Sequence, residues 1–127
     1  MRRKGKAAKH YDDVKEDRNA WKDSLRPICF VCNETFKHLD IHEILRRSRT
    51  REPFQRWNLT LLCRKCHESH EVAASNRESM TRMLARKRFY DPAHYSLTSF
   101  VLARDERATE FITEAEVELA AQALGLT

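Results

Sequence analysis

The sequence lacks any run of 18 or more apolar residues, so no transmembrane helix is expected. The basic N-terminal stretch MRRKGKAAKH is not followed by an apolar segment, which argues against a secretory signal. No internal repeat and no low-complexity linker interrupts the 127 residues. This length favours a single domain with a modest core, which a structural metal would help to stabilise. We therefore expect a cytoplasmic protein that has no membrane partner.

Acidic residues are scarce in most of the chain and are concentrated at its end. Residues 1–104 contain 23 Lys or Arg and 13 Asp or Glu, whereas residues 105–127 contain one Arg and six acids. The net charge is therefore +10 in the first segment and −5 in the second. A basic body fits a polyanionic partner, because phosphates that Lys and Arg neutralise release counterions. A solvated basic surface without a partner is the alternative.

Cysteine occurs only as two CxxC pairs, Cys29–Cys32 and Cys63–Cys66. In a reducing compartment, such pairs are more often metal ligands than disulfides. Two CxxC turns supply four thiolates, which is the complete ligand set of a closed structural Zn²⁺ site with no open position for chemistry. Four buried thiols, or a single redox pair, are the alternatives. Two spaced pairs are uncommon by accident in so short a chain, so we predict a structural zinc site.

Histidines complete neither of two other familiar zinc motifs. A two-Cys, two-His finger built from Cys29, Cys32, His38 and His42 would have five residues between its pairs, where about twelve is usual. The segment HESHE also differs from the H-E-x-x-H motif of zinc proteases, because Glu71 stands at the position of the second histidine.

The hydrophobic pattern predicts a mixed α+β fold. The β-branched and aromatic segment PICFVCNETFKHLDIHEI predicts a β-hairpin or knuckle, and NLTLLC predicts a second strand. In HLDIHEI, alternation places Leu39 and Ile41 on one face and His38, Asp40 and His42 on the other. The predicted regions are a basic arm over 1–9, a short helix over 10–24 tethered by Trp21, a central unit over 25–90 and a helical extension over 91–127.

Helices are predicted after the second cysteine pair. A stripe of Met80, Met83 and Leu84 marks one helix with a basic end. Asp91-Pro92 resembles the first residues of another helix, which would run to about residue 104. Thr113 and Glu116 form a capping box, flanked by the apolar pair Ile112 and Val117, for a last helix that ends near Gly125.

The strings DIHEILRRS and WNLTLLCRKCHESHE resemble the HNH, or ββα-metal, nuclease motif. The chain is most similar to small phage-type HNH proteins, and the resemblance covers roughly residues 28–72. It implies a ββα-metal core in which a β-hairpin and a helix hold one catalytic divalent cation over a DNA phosphodiester. That cation would be Mg²⁺, Mn²⁺, Ni²⁺ or Zn²⁺, and the cell would be bacterial or phage-infected.

The resemblance assigns roles to individual residues. His42 falls at the position of the first metal ligand and His67 at that of the second. Asn58 matches the central Asn, which braces the loop and helps to orient the base. On a helix, His67 shares a face with His70 and Glu71, and either of these could supply a third ligand. His70 is the softer donor, whereas the spacing of four residues favours Glu71.

Glu43 is the main departure from the family pattern, which has histidine there as general base. A carboxylate can accept a proton from water, although its ordinary pKa of about 4.3 makes it a weaker base than imidazole. A solvated or Arg-paired carboxylate is the alternative role for Glu43. The chain would then be a zinc-stabilised nucleic-acid-binding module on the same scaffold, with little or no turnover.

An arginine-rich segment lies between the two halves of the motif. Arg46, Arg47, Arg49 and Arg51 are placed to contact phosphates, although a solvated loop would have the same composition. Some phage-type relatives serve genome processing, so the resemblance also implies a packaging or other targeting protein as a possible partner. A protein-interaction role is a further alternative for residues 92–127.

Overall fold

The computed structural model describes residues 6–47, 50, 52–73, 76–103 and 111–127, without the side chains of residues 6–13, 70 and 73. The fold is mixed α+β, as predicted, with a two-stranded antiparallel sheet and helices on both sides of it in sequence. Its elements are α1 (Lys6–Asp23), β1 (Asp40–Glu43), β2 (Leu59–Leu62), α2 (Arg64–His67), α3 (His70–Ala73), α4 (Arg77–Tyr90), α5 (Leu97–Ala103) and α6 (Glu114–Ala123).

The two strands lie where the sequence predicted them. Asp40 pairs with Leu62 and His42 pairs with Thr60, so β1 and β2 are antiparallel. Every residue of β2 is buried, which explains why this strand has a continuous apolar run and not an alternating one. All four residues of β1 are half-buried, so this strand carries its polar side chains at the edge of the core.

The first CxxC pair lies in a tight turn before β1. An isolated bridge joins Ile28 to Thr35, and the backbone N–H of Asn33 donates to the Cys29 carbonyl at 2.9 Å. Asn33 has a φ of 61°, a left-handed conformation that asparagine tolerates better than most residues. The Phe30 N–H donates to the Leu61 carbonyl at 2.8 Å, which attaches the turn to β2.

Helix α1 is longer than the predicted helix over 10–24. It begins at Lys6, so the prediction of an arm over 1–9 is wrong from that residue onward, and residues 1–5 lie outside the described part of the chain. The physical reason is the run of Lys and Ala, which are strong helix formers. Trp21 is fully buried and anchors the end of this helix in the core, as predicted.

Asp91-Pro92 does not begin a helix, which corrects the prediction made from this dipeptide. Asp91 instead ends α4, with its N–H donating to the Lys87 carbonyl, and α5 begins only at Leu97. The Asp91 side chain is unavailable as an N-cap because it is buried against Lys87 and Trp21. At the start of α5, the Ser96 hydroxyl accepts from the Ser99 N–H at 3.1 Å.

The last helix agrees with its sequence signals. The Thr113 hydroxyl accepts from the Glu116 N–H at 3.3 Å, and both Ile112 and Val117 are buried. After α6, Gly125 adopts a φ of 72° and the Leu126 N–H donates to the Ala121 carbonyl, which is the Schellman arrangement. Helix α6 packs on α4, and one hydrophobic cluster runs from Trp21 to Ala121. In the described chain, no helix is long and apolar enough to cross a membrane.

Candidate functional site

The four cysteines converge, although 30 residues separate the two pairs. Their sulfur atoms all lie within 4.8 Å of one another. Four sulfurs placed tetrahedrally at about 2.3 Å from a zinc ion would be roughly 3.8 Å apart, so the cluster matches that ligand set closely. The cysteines can therefore hold a metal ion such as zinc.

Local backbone structure places the second pair. Cys63 follows β2 and caps α2, where its sulfur accepts from the Cys66 N–H at 3.5 Å. Burial raises the pKa of the Cys66 thiol, and the neighbouring Cys63 and Cys29 raise it further. Burial also acts to raise the pKa of Cys29, but the backbone N–H groups of Cys32, Cys63 and Val31 outweigh it and lower that pKa overall. Four thiolates this close together would repel one another, and a bound cation would offset that repulsion.

His42 and His67 form a second cluster close to the cysteines. His42 lies on β1 and His67 ends α2, and their ring centroids are 5.4 Å apart in an edge-to-face arrangement. Burial, with smaller electrostatic contributions from His67 and Arg46, lowers the pKa of His42 to about 4. The His42 ring is therefore neutral at pH 7, which is the form that binds a metal ion.

Asp40 orients His67 rather than His42. Its Oδ2 atom lies 3.0 Å from His67 Nδ1 and 3.3 Å from Arg64 Nε. A carboxylate on one ring nitrogen fixes the tautomer and turns the other nitrogen outward, an arrangement common among metal-binding histidines. Alternation along β1 places Asp40 and His42 on the same face, so the sequence pattern does not link Asp40 to His67. The contact across the sheet to α2 was not expected.

Asn58 braces the arginine-rich loop. It is fully buried at the end of a short 3₁₀ helix (Arg56–Asn58) just before β2, where its Oδ1 accepts from the Leu45 N–H at 2.7 Å. Its Nδ2 donates to the carbonyls of Leu45 and Pro53, at 3.0 and 2.9 Å. These bonds tie both ends of the loop to one side chain. The described hydrogen bonds of the Asn58 side chain go to Leu45 and Pro53 and not to Glu43, so its predicted role in orienting a base stays a prediction.

Glu43 and two of the predicted arginines line the same pocket as the two histidines. This pocket has a volume of about 420 Å³. Glu43 Oε1 lies 3.4 Å from Arg47 Nε, and the Arg47 guanidinium stacks over the Phe54 ring at 4.6 Å. We call this space the site pocket; its lining includes Arg18, His42, Glu43, Arg46, Arg47 and His67. The predicted phosphate contacts Arg49 and Arg51 lie outside the described residues.

His70 and Glu71 are the two candidates for a third ligand of the catalytic cation. The His70 side chain lies outside the described part of the structure. Glu71 Oε1 is 3.3 Å from Arg82 and 3.1 Å from Arg86, both on α4. Among the described side chains, the cysteines form the one cluster of three or more potential metal ligands, and His42 and His67 form a pair.

Arg18 is a member of the site that the sequence analysis missed. It reaches the site pocket from α1, and its guanidinium lies 5.2 Å from the centre of the Phe54 ring. The signal that could have found it is the spacing of Lys15, Arg18 and Lys22, which places three cations on one helical face. That signal does not say which way the face points.

Comparisons with protein-family models, with curated proteins and with solved structures found no match to this chain.

Proposed function

We propose that this chain is a metal-dependent endonuclease of the HNH type that hydrolyses phosphodiester bonds in DNA, by nicking or by double-strand cleavage. The observation that carries the proposal is the pairing of His42 with His67 in a pocket lined by arginines. Two neutral or orientable imidazoles suit a divalent cation, and arginines suit a phosphate. The β1–β2 sheet followed by α2 would be the ββα core of that family.

The four cysteines would hold a structural zinc ion. Such a site would fasten the turn before β1 to the start of α2, because Cys29 and Cys32 belong to the first and Cys63 and Cys66 to the second. Its role would be scaffolding, since a four-thiolate site leaves no coordination position open.

In the site pocket, His42 and His67 would hold the catalytic cation, with Asp40 fixing the His67 ring. When bound, the ion would stabilise the charge that develops on the leaving 3′-oxygen. Arg46 and Arg47 would hold the phosphate, and Glu43 would accept the proton of the attacking water. As the water oxygen bonds to phosphorus, the bond from phosphorus to the 3′-oxygen breaks.

A second candidate function is nucleic-acid binding without turnover on the same scaffold. It is favoured by the ion pair between Glu43 and Arg47, which occupies the carboxylate proposed as base. The ion pairs of Glu71 with Arg82 and Arg86 favour it too, because they engage a potential third ligand.

A nicking assay on supercoiled plasmid separates the two functions. We expect zinc-loaded protein to nick the plasmid with at least one of Mg²⁺, Mn²⁺, Ni²⁺ or Zn²⁺. His42→Ala should abolish nicking, and Glu43→Gln should reduce it by roughly 100-fold or more if Glu43 is the base. Asp23→Asn, an exposed carboxylate at the end of α1, is the matched control for Glu43→Gln. Binding of the plasmid without cleavage under all four cations would establish the binding module instead.

A further inference from the structure

A second basic cavity adjoins the site pocket along α1. Its volume is about 410 Å³, and it shares Arg18 and His67 with the site pocket. We call it the α1 groove; the charged side chains on its lining include Lys15, Arg18, Lys22, Asp40, Arg64 and His67. The two cavities therefore lie side by side at Arg18 and His67.

Three cations form a row on the wall of the α1 groove. Lys15, Arg18 and Lys22 are three and four residues apart, so they share one face of the helix. With a rise of about 1.5 Å per residue, the row extends roughly 10 Å along the helix axis. The row is therefore long enough to contact about two or three neighbouring phosphates of one DNA strand.

Arg18 stands where the row meets the site pocket. Its Nε is, among the described side chains, the one buried nitrogen or oxygen that lacks a hydrogen-bond partner. A buried N–H without an acceptor is costly, and an anionic oxygen is the acceptor that guanidinium binds best. The Arg18 guanidinium lies over the Phe54 ring, 5.2 Å from its centre, so a cation–π contact holds it beside the site pocket.

The acidic groups of the α1 groove do not cancel its positive charge. Asp40 is the acidic side chain on the described lining, and it is engaged by His67 and Arg64. Lys22 Nζ donates to the neutral Leu39 carbonyl at 2.7 Å, so this contact leaves its charge uncompensated. The α1 groove is therefore an elongated cationic surface that leads to the histidine pair.

We propose that the α1 groove binds the sugar–phosphate backbone of DNA on one side of the scissile bond, and that Arg18 binds the phosphate nearest His42 and His67. The location of the scissile bond rests on the proposed nuclease function, whereas the binding of a strand in the groove does not. Arg46 and Arg47 then contact the backbone on the other side of the histidine pair.

The test is fluorescence anisotropy with labelled single-stranded and duplex DNA at several salt concentrations, using zinc-loaded protein without added Mg²⁺ or Mn²⁺. Arg18→Ala is expected to weaken binding about three- to tenfold for every sequence and to reduce the salt slope by roughly 0.7 to 0.9. Lys15→Ala combined with Lys22→Ala should reduce the slope by about twice as much. Arg26→Ala removes the same charge from an exposed residue outside the groove lining, and it should change both quantities less.

Equal effects of Arg18→Ala and Arg26→Ala would overturn the proposal, provided that both variants unfold at the wild-type urea concentration. Arg18→Lys keeps the charge but not the fork of donors, so it should recover part of the affinity. An acidic peptide that binds the groove more tightly than DNA does would also overturn it. If the groove variants weaken DNA binding while wild type never nicks, the nuclease function is refuted and DNA binding by the α1 groove is supported. If wild type nicks and Arg18→Ala binds DNA normally, DNA binding by the α1 groove is refuted and the nuclease function is not.

Discussion

A buried ion pair between Lys87 and Asp91 fixes α1 on the rest of the protein, and its removal should be the costliest single change of charge. Lys87 is 0% exposed and Asp91 is 2% exposed. Lys87 Nζ donates to Asp91 Oδ2 and to the Leu59 carbonyl, each at 2.6 Å. The same carboxylate oxygen accepts from the Trp21 indole N–H at 2.8 Å, so α1, β2 and α4 meet at this cluster.

Asp91→Asn keeps the size of the side chain and removes its charge, which leaves the Lys87 ammonium buried without a counter-charge. Breaking a buried pair from one side costs about 3–5 kcal/mol of unfolding free energy. For a chain of this length, that corresponds to a fall in melting temperature of roughly 10–20 °C. Urea unfolding of the zinc-loaded protein, followed by circular dichroism and by Trp fluorescence, measures the loss.

Adding Lys87→Met to Asp91→Asn tests the reason for this cost. The double variant has no buried charge at the cluster, so it should be more stable than Asp91→Asn alone. An Asp91→Asn variant within about 0.5 kcal/mol of wild type would refute the reasoning. So would a double variant that is less stable than the single one.

The pH dependence of unfolding, compared between wild type and Asp91→Asn, gives an independent check. Burial acts to raise the pKa of Asp91, but hydrogen bonds from Lys87, Trp21 and His94 outweigh it and lower the pKa below 3.8. A carboxylate with a lowered folded-state pKa contributes stability that is present above 3.8 and is lost as the pH falls through the folded value. The stability difference between wild type and Asp91→Asn should therefore shrink below about pH 4.

Three further predictions concern the site. Cys63→Ser should release a metal ion held by the cysteine cluster and lower the melting temperature, as measured by a zinc-sensitive dye and circular dichroism; retention of one zinc per chain would contradict this. Asp40→Asn should weaken Ni²⁺ binding by zinc-loaded protein about 10–100-fold in calorimetry, because His67 loses the partner that orients it. Unchanged affinity would leave Asp40 with only a structural role. Arg47→Ala removes a proposed phosphate contact, so plasmid binding should weaken and its salt slope should fall by roughly 0.9; unchanged binding would contradict that role for Arg47.

The sequence predicts the strands and the cysteine cluster well because their signals are local. The apolar run before Cys63 can only be a buried strand or a buried helix, and its shortness favours the strand. A CxxC turn presents both thiols at the spacing that a metal requires. A tetrahedral metal site needs four such ligands, so the sequence predicts that the two turns converge even though 30 residues separate them.

Asp91-Pro92 shows where local signals fail. The dipeptide is equally compatible with the first residues of a helix and with a turn after one. The choice between these two conformations depends on Trp21, which is 70 residues away and donates its indole N–H to the Asp91 carboxylate. Nothing in the neighbouring sequence reports that contact. Arg18 is a similar case. The sequence predicts which residues share its helical face, but the surroundings of that face depend on where Trp21 is buried.

The same limit explains why the contact between Asp40 and His67 does not follow from the sequence pattern. Alternation along a strand reports only residues of that strand, and it places Asp40 with His42. The register pairs Asp40 with Leu62, the last residue of β2, and α2 begins two residues later. His67 is therefore brought back over Asp40 by the turn at Cys63. The register depends on the pairing of two segments, which a one-dimensional pattern does not contain.

This geometry couples the cysteine cluster to the histidine pair. Helix α2 is only four residues long, too short to be stable through its own hydrogen bonds. His67 follows Cys66 directly, so its position depends on the cysteine cluster at one end and on Asp40 at its ring. His42 instead lies on β1, whose pairing with β2 is secured by the buried core. Loss of a metal ion held by the cysteines should thus displace His67 before His42, and the pair would separate while the sheet persists.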